Sequence, residues 1–238
     1  MSNPPITLIL LPGMDGTGKL FQPFIQALNP NINSIVVSYP TDEVLNYAQL
    51  IKLASAYIPP NQPYILLGES FSGPIAIALA ANADSQLKGL ILSCSFARNP
   101  RLQLSKLSFL LPTLPINKLS FGLMSKLTLA KFNNPSIRKS LFESVAAVTP
   151  KVMRARLGAV IDVDYTEKLR NLNLPILYLR GKYDYLVPPS AGQYITEQAK
   201  NAQLVELNAP HLLLQLAPIE AAKCVQDFIE KTCQSLHD

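Results

Sequence analysis

The chain has 238 residues, of which 48% are hydrophobic and 16% charged, with 21 Lys/Arg against 16 Asp/Glu. That is too apolar for a disordered chain. It suits one large α/β domain better than two small ones, since no Gly/Ser linker or charge run divides it. No repeat or low-complexity tract occurs, and no apolar run approaches the roughly 18 residues that span a bilayer.

Ile6–Leu11 is the first continuous apolar run. It has no Lys or Arg ahead of it and no small-residue cleavage site behind it, so it is expected as a strand rather than a secretory leader. A glycine-rich loop, Pro12-Gly-Met-Asp-Gly-Thr-Gly18, leads from it into a helix near Leu20–Leu28. Two chemistries use such a loop. Gly13 and Gly18-Lys19 have P-loop spacing, but Leu20 stands where a hydroxyl should bind Mg²⁺, and no later strand ends in an aspartate to hold that ion. The alternative is an oxyanion hole built from main-chain N–H groups, to which Met14 would contribute one. Asp15 and Thr17 could equally do no more than cap the following helix.

Ser34–Tyr39 is the next expected strand and Val44–Tyr57 an amphipathic helix closed by Pro59-Pro60. Then comes Tyr64-Ile-Leu-Leu-Gly-Glu-Ser-Phe-Ser-Gly73, followed by the alanine-rich helix Pro74–Ala81. Ser70 therefore falls on a strand-to-helix corner, where a side chain stands clear of the backbone as a nucleophile must. Phe71 would offer the second oxyanion N–H. The pattern is G-x-S-x-S-G, with Ser72 where G-x-S-x-G has its second glycine. Read without its partners, the same stretch is a βα loop with Ser72 as helix cap. Leu87–Cys94 is a further strand, inside which Cys94 reads as a small buried hydrophobe. Strands apolar throughout and alternating with helices indicate a mostly parallel, doubly wound sheet covered on both faces.

From Arg98 to Arg170 no strand is evident, prolines recur, and Leu102–Phe132 is leucine- and lysine-rich with helical spacing. This span carries 13 Lys/Arg against 4 Asp/Glu, so the basicity of the whole chain resides in it. The expected division is a core of residues 1–97 and 171–238 with a helical lid, 98–170, roofing the carboxyl edge of the sheet. Its lysines either face water or give the lid weak contact with anionic lipid. Without aromatic and glycine interleaving it matches no nucleic-acid module.

Leu174–Gly181 resumes the sheet, with Asp184 three residues beyond, then a helix near Ser190–Lys200 and a last strand, Gln203–Leu207. His211 follows that strand, and a closing helix spans about Pro218 to Cys233. The chain has two histidines, and His237 sits next to the last residue, so His211 is the candidate base for Ser70. Asp184 is the candidate carboxylate for its other ring nitrogen, with Asp162, Asp164 and Glu167 as rivals placed ahead of their strand or in the lid. Three cysteines without paired spacing suit reduced thiols in a cytoplasmic protein.

The order Ser70, Asp184, His211, with an insertion between the first two, resembles the α/β-hydrolase superfamily over essentially the whole chain. Gly181-x-x-Asp184-x-x-Val-Pro resembles that family's acid segment and Leu-Pro-Gly13-Met14 its oxyanion loop. Pro12 stands where many members have His, and Pro210 where a glycine is common. The wording Leu-Pro-Gly-x-Asp-Gly-Thr-Gly is also similar to small microbial esterases and plastid phytyl-ester acyltransferases. The resemblance implies a serine hydrolase of small-molecule acyl esters that uses neither cofactor nor metal. An acyltransferase or thioesterase would share the same atoms. A non-catalytic ligand receptor and a P-loop nucleotide binder are the alternatives of another class.

Overall fold

A strand made of leucine and isoleucine has no wet face, so it belongs in the middle of a sheet covered on both sides. The computed structural model describes residues 6–103, 118–132 and 134–234. Residues 1–5 ahead of the first strand, 104–117 of the expected Leu102–Phe132 helical stretch, and His237 lie outside the described residues. β1 (Thr7–Leu11) is buried throughout. It pairs in parallel with β2 (Asn33–Val36) on one side and β3 (Tyr64–Glu69) on the other. β4 (Leu87–Ser93), β5 (Ile176–Tyr183) and β6 (Ala202–Pro210) extend the sheet, which has six strands in the order β2-β1-β3-β4-β5-β6, all parallel.

Successive side chains of these strands feed two cores, one on each face. Leu8, Leu10, Ile65, Leu67, Leu177 and Leu179 pack with Phe24 of α1 (Gln22–Ala27) and with Val225 and Phe228 of α10 (Pro218–Gln234). Ile9, Leu11, Leu66, Leu92 and Tyr178 pack with α2 (Tyr47–Ser55), α3 (Gly73–Ala81) and α8 (Pro189–Gln198). This is the doubly wound sheet expected from the alternation of apolar strands and helices. α2 starts at Tyr47 rather than Val44 because Asn46 and Gln49 form a capping box there.

Between β4 and β5 lie α4 (Lys118–Leu129), α5 (Pro135–Ala146), α6 (Pro150–Asp162) and α7 (Thr166–Arg170). Pro135 and Pro150, which interrupt the sequence pattern, open α5 and α6, where a missing N–H costs nothing. Asn134 and Thr149 cap them, their side chains accepting from the N–H of Ile137 and of Val152. The two ends of the insertion hold each other: Tyr165 N–H donates to Ala97 O and Asn99 N–H to Val163 O, around an antiparallel bridge of Arg98 with Asp164.

β5 and β6 run further than their apolar residues suggest. Asp184 directly follows β5 rather than standing three residues past it, and His211 directly follows β6. Pairing of Tyr183 with Pro210 carries the ladder to the threshold of both. Cys94 lies one residue past β4 with φ 47, outside the strand, yet fully buried. α9 (Leu213–Leu216) follows His211 and covers the same edge.

Candidate active site

β3 ends at Glu69, and Ser70–Ser72 make a 3-10 turn into α3. Ser70 has φ 48, in the left-handed region that an L-residue enters only when its surroundings hold it there. Small neighbours permit the corner. A Cβ on Gly68 would lie 2.8 Å from both the Ala76 Cβ and the Ser72 carbonyl oxygen, and one on Gly73 would overlap Ser95 Oγ. Ser72 does not cap α3 with its side chain. Its hydroxyl donates to Pro12 O and lies 2.8 Å from the Tyr39 hydroxyl, tying the corner to the glycine-rich loop.

His211 Nε2 is 2.9 Å from Ser70 Oγ, and His211 Nδ1 is 2.8 Å from Asp184 Oδ2. Asp184 Oδ1 accepts from the N–H groups of Leu186 and Val187, both at 2.9 Å, so each oxygen of this carboxylate has a partner. The three side chains expected to meet do meet, and both His211 and Asp184 are buried. Of the rival acids, Asp164 accepts from Thr166 N–H near the foot of the insertion, while Asp162 and Glu167 belong to α6 and α7.

Phe71 follows Ser70 in the 3-10 turn, and Met14 follows Gly13 in the glycine-rich loop. A Cβ on Gly13 would be 4.0 Å from Ser70 Cβ, so the glycine-rich loop runs beside Ser70. The Ser70 carbonyl accepts from Ser95 Oγ, and a trans peptide points its N–H the opposite way, so the Phe71 N–H faces away from Ser95. The Gly13 carbonyl accepts from Gly16 N–H at 3.0 Å, which by the same rule fixes the direction of the Met14 N–H. Asp15 caps nothing; its carboxylate takes the N–H and hydroxyl of Thr17 and closes the loop on itself.

Burial alone would raise the Asp184 carboxyl, but the charge and hydrogen bond of His211, with the two N–H donors, hold it below the usual aspartate range. Burial alone would lower His211; the charge and hydrogen bond of Asp184, helped by Glu69, raise it above the usual histidine value. Glu69 stands next to Ser70 in the chain. It is buried, accepts from Gln215 Nε2 at 2.8 Å, and is pushed up to about 7, chiefly by burial.

With a folded-state value above the unfolded one, Glu69 binds more protons in the native protein, so stability falls as pH rises from about 4.5 to about 7. Replacing it by Gln is expected to remove that fall. Urea unfolding at pH 5 and pH 8 should show the variant gaining on the wild type at the higher pH, by up to about 3 kcal/mol. An equal pH slope in both proteins would contradict it.

Among the described residues, one group of potential metal ligands occurs, Cys94, Asp184 and His211, with donor atoms within 4.8 Å of one another. Nδ1 and Oδ2 of that group are already spent on each other, and burial keeps the Cys94 thiol protonated. A neutral thiol and an engaged imidazole suit a packed wall behind the hydrogen-bonded pair better than a metal centre.

The family model described as serine aminopeptidase, S33, matches residues 36–211, about three quarters of the chain, and spans Ser70, Asp184 and His211. The chain belongs to that family. This S33 hydrolase is 27% identical over 217 residues to a pimeloyl-[acyl-carrier protein] methyl ester esterase of Vibrio campbellii, a match covering 84% of the chain and 85% of the relative. It is also 35% identical over 103 residues to phytyl ester synthase 1, chloroplastic, of Arabidopsis thaliana, covering 40% of the chain and 15% of that protein. In fold, it superposes on a lipase-esterase related protein from Clostridium acetobutylicum with a TM-score of 0.81 at 18% identity, over 94% of this chain and 95% of that one. The S33 hydrolase is thus an α/β-hydrolase, as its motif order implied. No helix among its described residues is long and apolar enough to cross a membrane.

Proposed function

We propose that the chain hydrolyses small-molecule carboxylic acyl esters, with Ser70 as nucleophile, His211 as general base and acid, and Asp184 as the carboxylate that orients the imidazole. The observation that carries this reading is the unbroken relay Asp184–His211–Ser70 at 2.8 and 2.9 Å. His211 takes the Ser70 proton as Oγ attacks the ester carbon, and the resulting oxyanion sits against the Met14 and Phe71 N–H groups. His211 then protonates the departing alcohol, leaving an acyl-serine. It next takes a proton from water, whose oxygen attacks the acyl carbon, and returns that proton to Ser70 as the acid leaves.

The insertion, 98–170, acts as a lid over this edge, and its exposed basic residues suit weak contact with anionic lipid. Cys94, Cys224 and Cys233 are free thiols, which suits a reducing cytoplasm. A second reading, transfer of the acyl group to an alcohol instead of water, draws on the likeness to phytyl ester synthase 1. A chain-length series of p-nitrophenyl esters, run with and without a long-chain alcohol, tests both. Release of free acid in the wild type but not in Ser70→Ala supports the hydrolase. Conversion of most product to a new ester when alcohol is added would favour the transferase.

A further inference from the structure

Arg156 lies on α6 four residues after Val152 and only 2% of it is exposed, so a cation stands on the apolar stripe of a lid helix. Its guanidinium reaches out of the insertion into the core. Nη1 donates to the carbonyls of Met14 and Asp15 at 2.8 and 3.0 Å, and Nη2 to Pro40 O at 2.8 Å. It lies close against Gly16, where a Cβ would come within 2.6 Å of Nη1, and Gly16 has φ 71. Gly16 O in turn accepts from Tyr39 N–H at 2.7 Å, so the two loops that Arg156 holds also hold each other.

We propose that Arg156 is a positioning residue through which lid helix α6 sets the oxyanion hole, and this rests on the hydrolase reading above. The relay runs through successive peptide planes. Arg156 fixes the Asp15 carbonyl, and the N–H of that same peptide, belonging to Gly16, holds the Gly13 carbonyl. The N–H of the Gly13 carbonyl's own peptide is that of Met14, the donor assigned to the oxyanion. Rotating any plane in the series turns that N–H. A second tie acts in parallel: the Met14 side chain packs against the cluster of Val148, just ahead of the same helix, and Val152 and Met153 in its first turn. Thr149 N–H, at the head of α6, also donates to Thr41 O at 2.8 Å. If α6 lifts, the loop loses its hold and the donor its aim, so substrate is processed only beneath a seated lid.

The test compares wild type, Arg156→Lys, Arg156→Ala and, as a lid charge control, Arg138→Ala on the exposed surface of α5. Each is measured for kcat and KM on a soluble short-chain ester and for affinity toward a trifluoromethyl ketone, whose hemiketal oxyanion occupies the same hole. Arg156→Ala is expected to lower kcat by about 10- to 100-fold with KM changed by less than about threefold, and to weaken the ketone in parallel with kcat. A fluorophosphonate should still label Ser70 in the folded variant, more slowly. Millimolar guanidinium should restore part of the loss in Arg156→Ala alone. Arg156→Lys, which keeps the charge but cannot reach three carbonyls together, should fall between, and it decides the matter if the alanine variant does not fold. Unchanged kcat and ketone affinity in a folded Arg156 variant, or an equal loss in Arg138→Ala, would overturn the proposal. A wild type that neither turns over esters nor takes the label would overturn the hydrolase reading itself.

Discussion

Replacing His211 by Ala is expected to lower kcat on an activated ester by about 10⁶-fold, and Ser70→Ala by a similar factor. In the proposed mechanism both side chains act in one proton transfer. Ser70 Oγ has no other base at hydrogen-bond distance among the described residues, and Glu69, the buried acid beside it in the chain, is bonded to Gln215 instead. Because the two residues work as a unit, the double variant should be no slower than either single one. A residual rate well above the uncatalysed one should persist in all three, supplied by binding and by the N–H groups of Met14 and Phe71. Multiplying losses in the double variant would mean that serine and histidine serve separate steps.

The second large effect is expected at Asp184. Asn in its place still accepts from the N–H groups of Leu186 and Val187 but has no charge to offer the imidazolium, and kcat should fall by about 10⁴-fold. The pH profile should move as well. Activity follows the neutral imidazole, so in the wild type it rises with pH through an inflection above the ordinary histidine value of about 6.5. Removing the largest influence that raises His211 leaves burial, which lowers it, so the inflection should shift to lower pH as the plateau drops. An unshifted inflection would mean that the Asp184 charge does not reach the base.

Stability carries the same pair with opposite signs. Asp184, held below its unfolded value, stabilises the fold above about pH 4 and loses that contribution as pH falls. His211, held above its unfolded value, contributes fully below about pH 6.5 and progressively less above it. Their mutual stabilisation is therefore greatest between those limits, whereas turnover is greatest above them.

The parts of this site legible in the sequence are those imposed by local geometry. Ser70 showed itself because a strand, a corner and an alanine-rich helix leave one side chain projecting, and small residues at 68 and 73 are what such a corner demands. His211 and Asp184 could be placed because each follows a strand on the same edge of a parallel sheet. Strand lengths were less legible. β5 and β6 continue through Lys182, Tyr183 and Asn208, residues that break the apolar pattern, because the ladder resumes at Tyr183 and Pro210 after a register shift past Gly181 and Leu207. The capping box at Asn46 likewise set a helix start that hydrophobic spacing placed earlier. Glu69, Ser72 and Arg156 escaped because their partners lie far along the chain: Gln215 for the first, Pro12 and Tyr39 for the second, and three loop carbonyls for the third. One signal was present for Arg156, a cation four residues from Val152 on the buried stripe of an otherwise amphipathic helix.

Mass spectrometry of the protein after treatment with a fluorophosphonate bears most directly on whether Ser70 is an activated nucleophile. One adduct is expected, on the peptide carrying Ser70, formed quickly in the wild type and abolished in His211→Ala. Esters turned over while Ser70 stays unmodified, or labelling that is as fast without His211, would contradict the account.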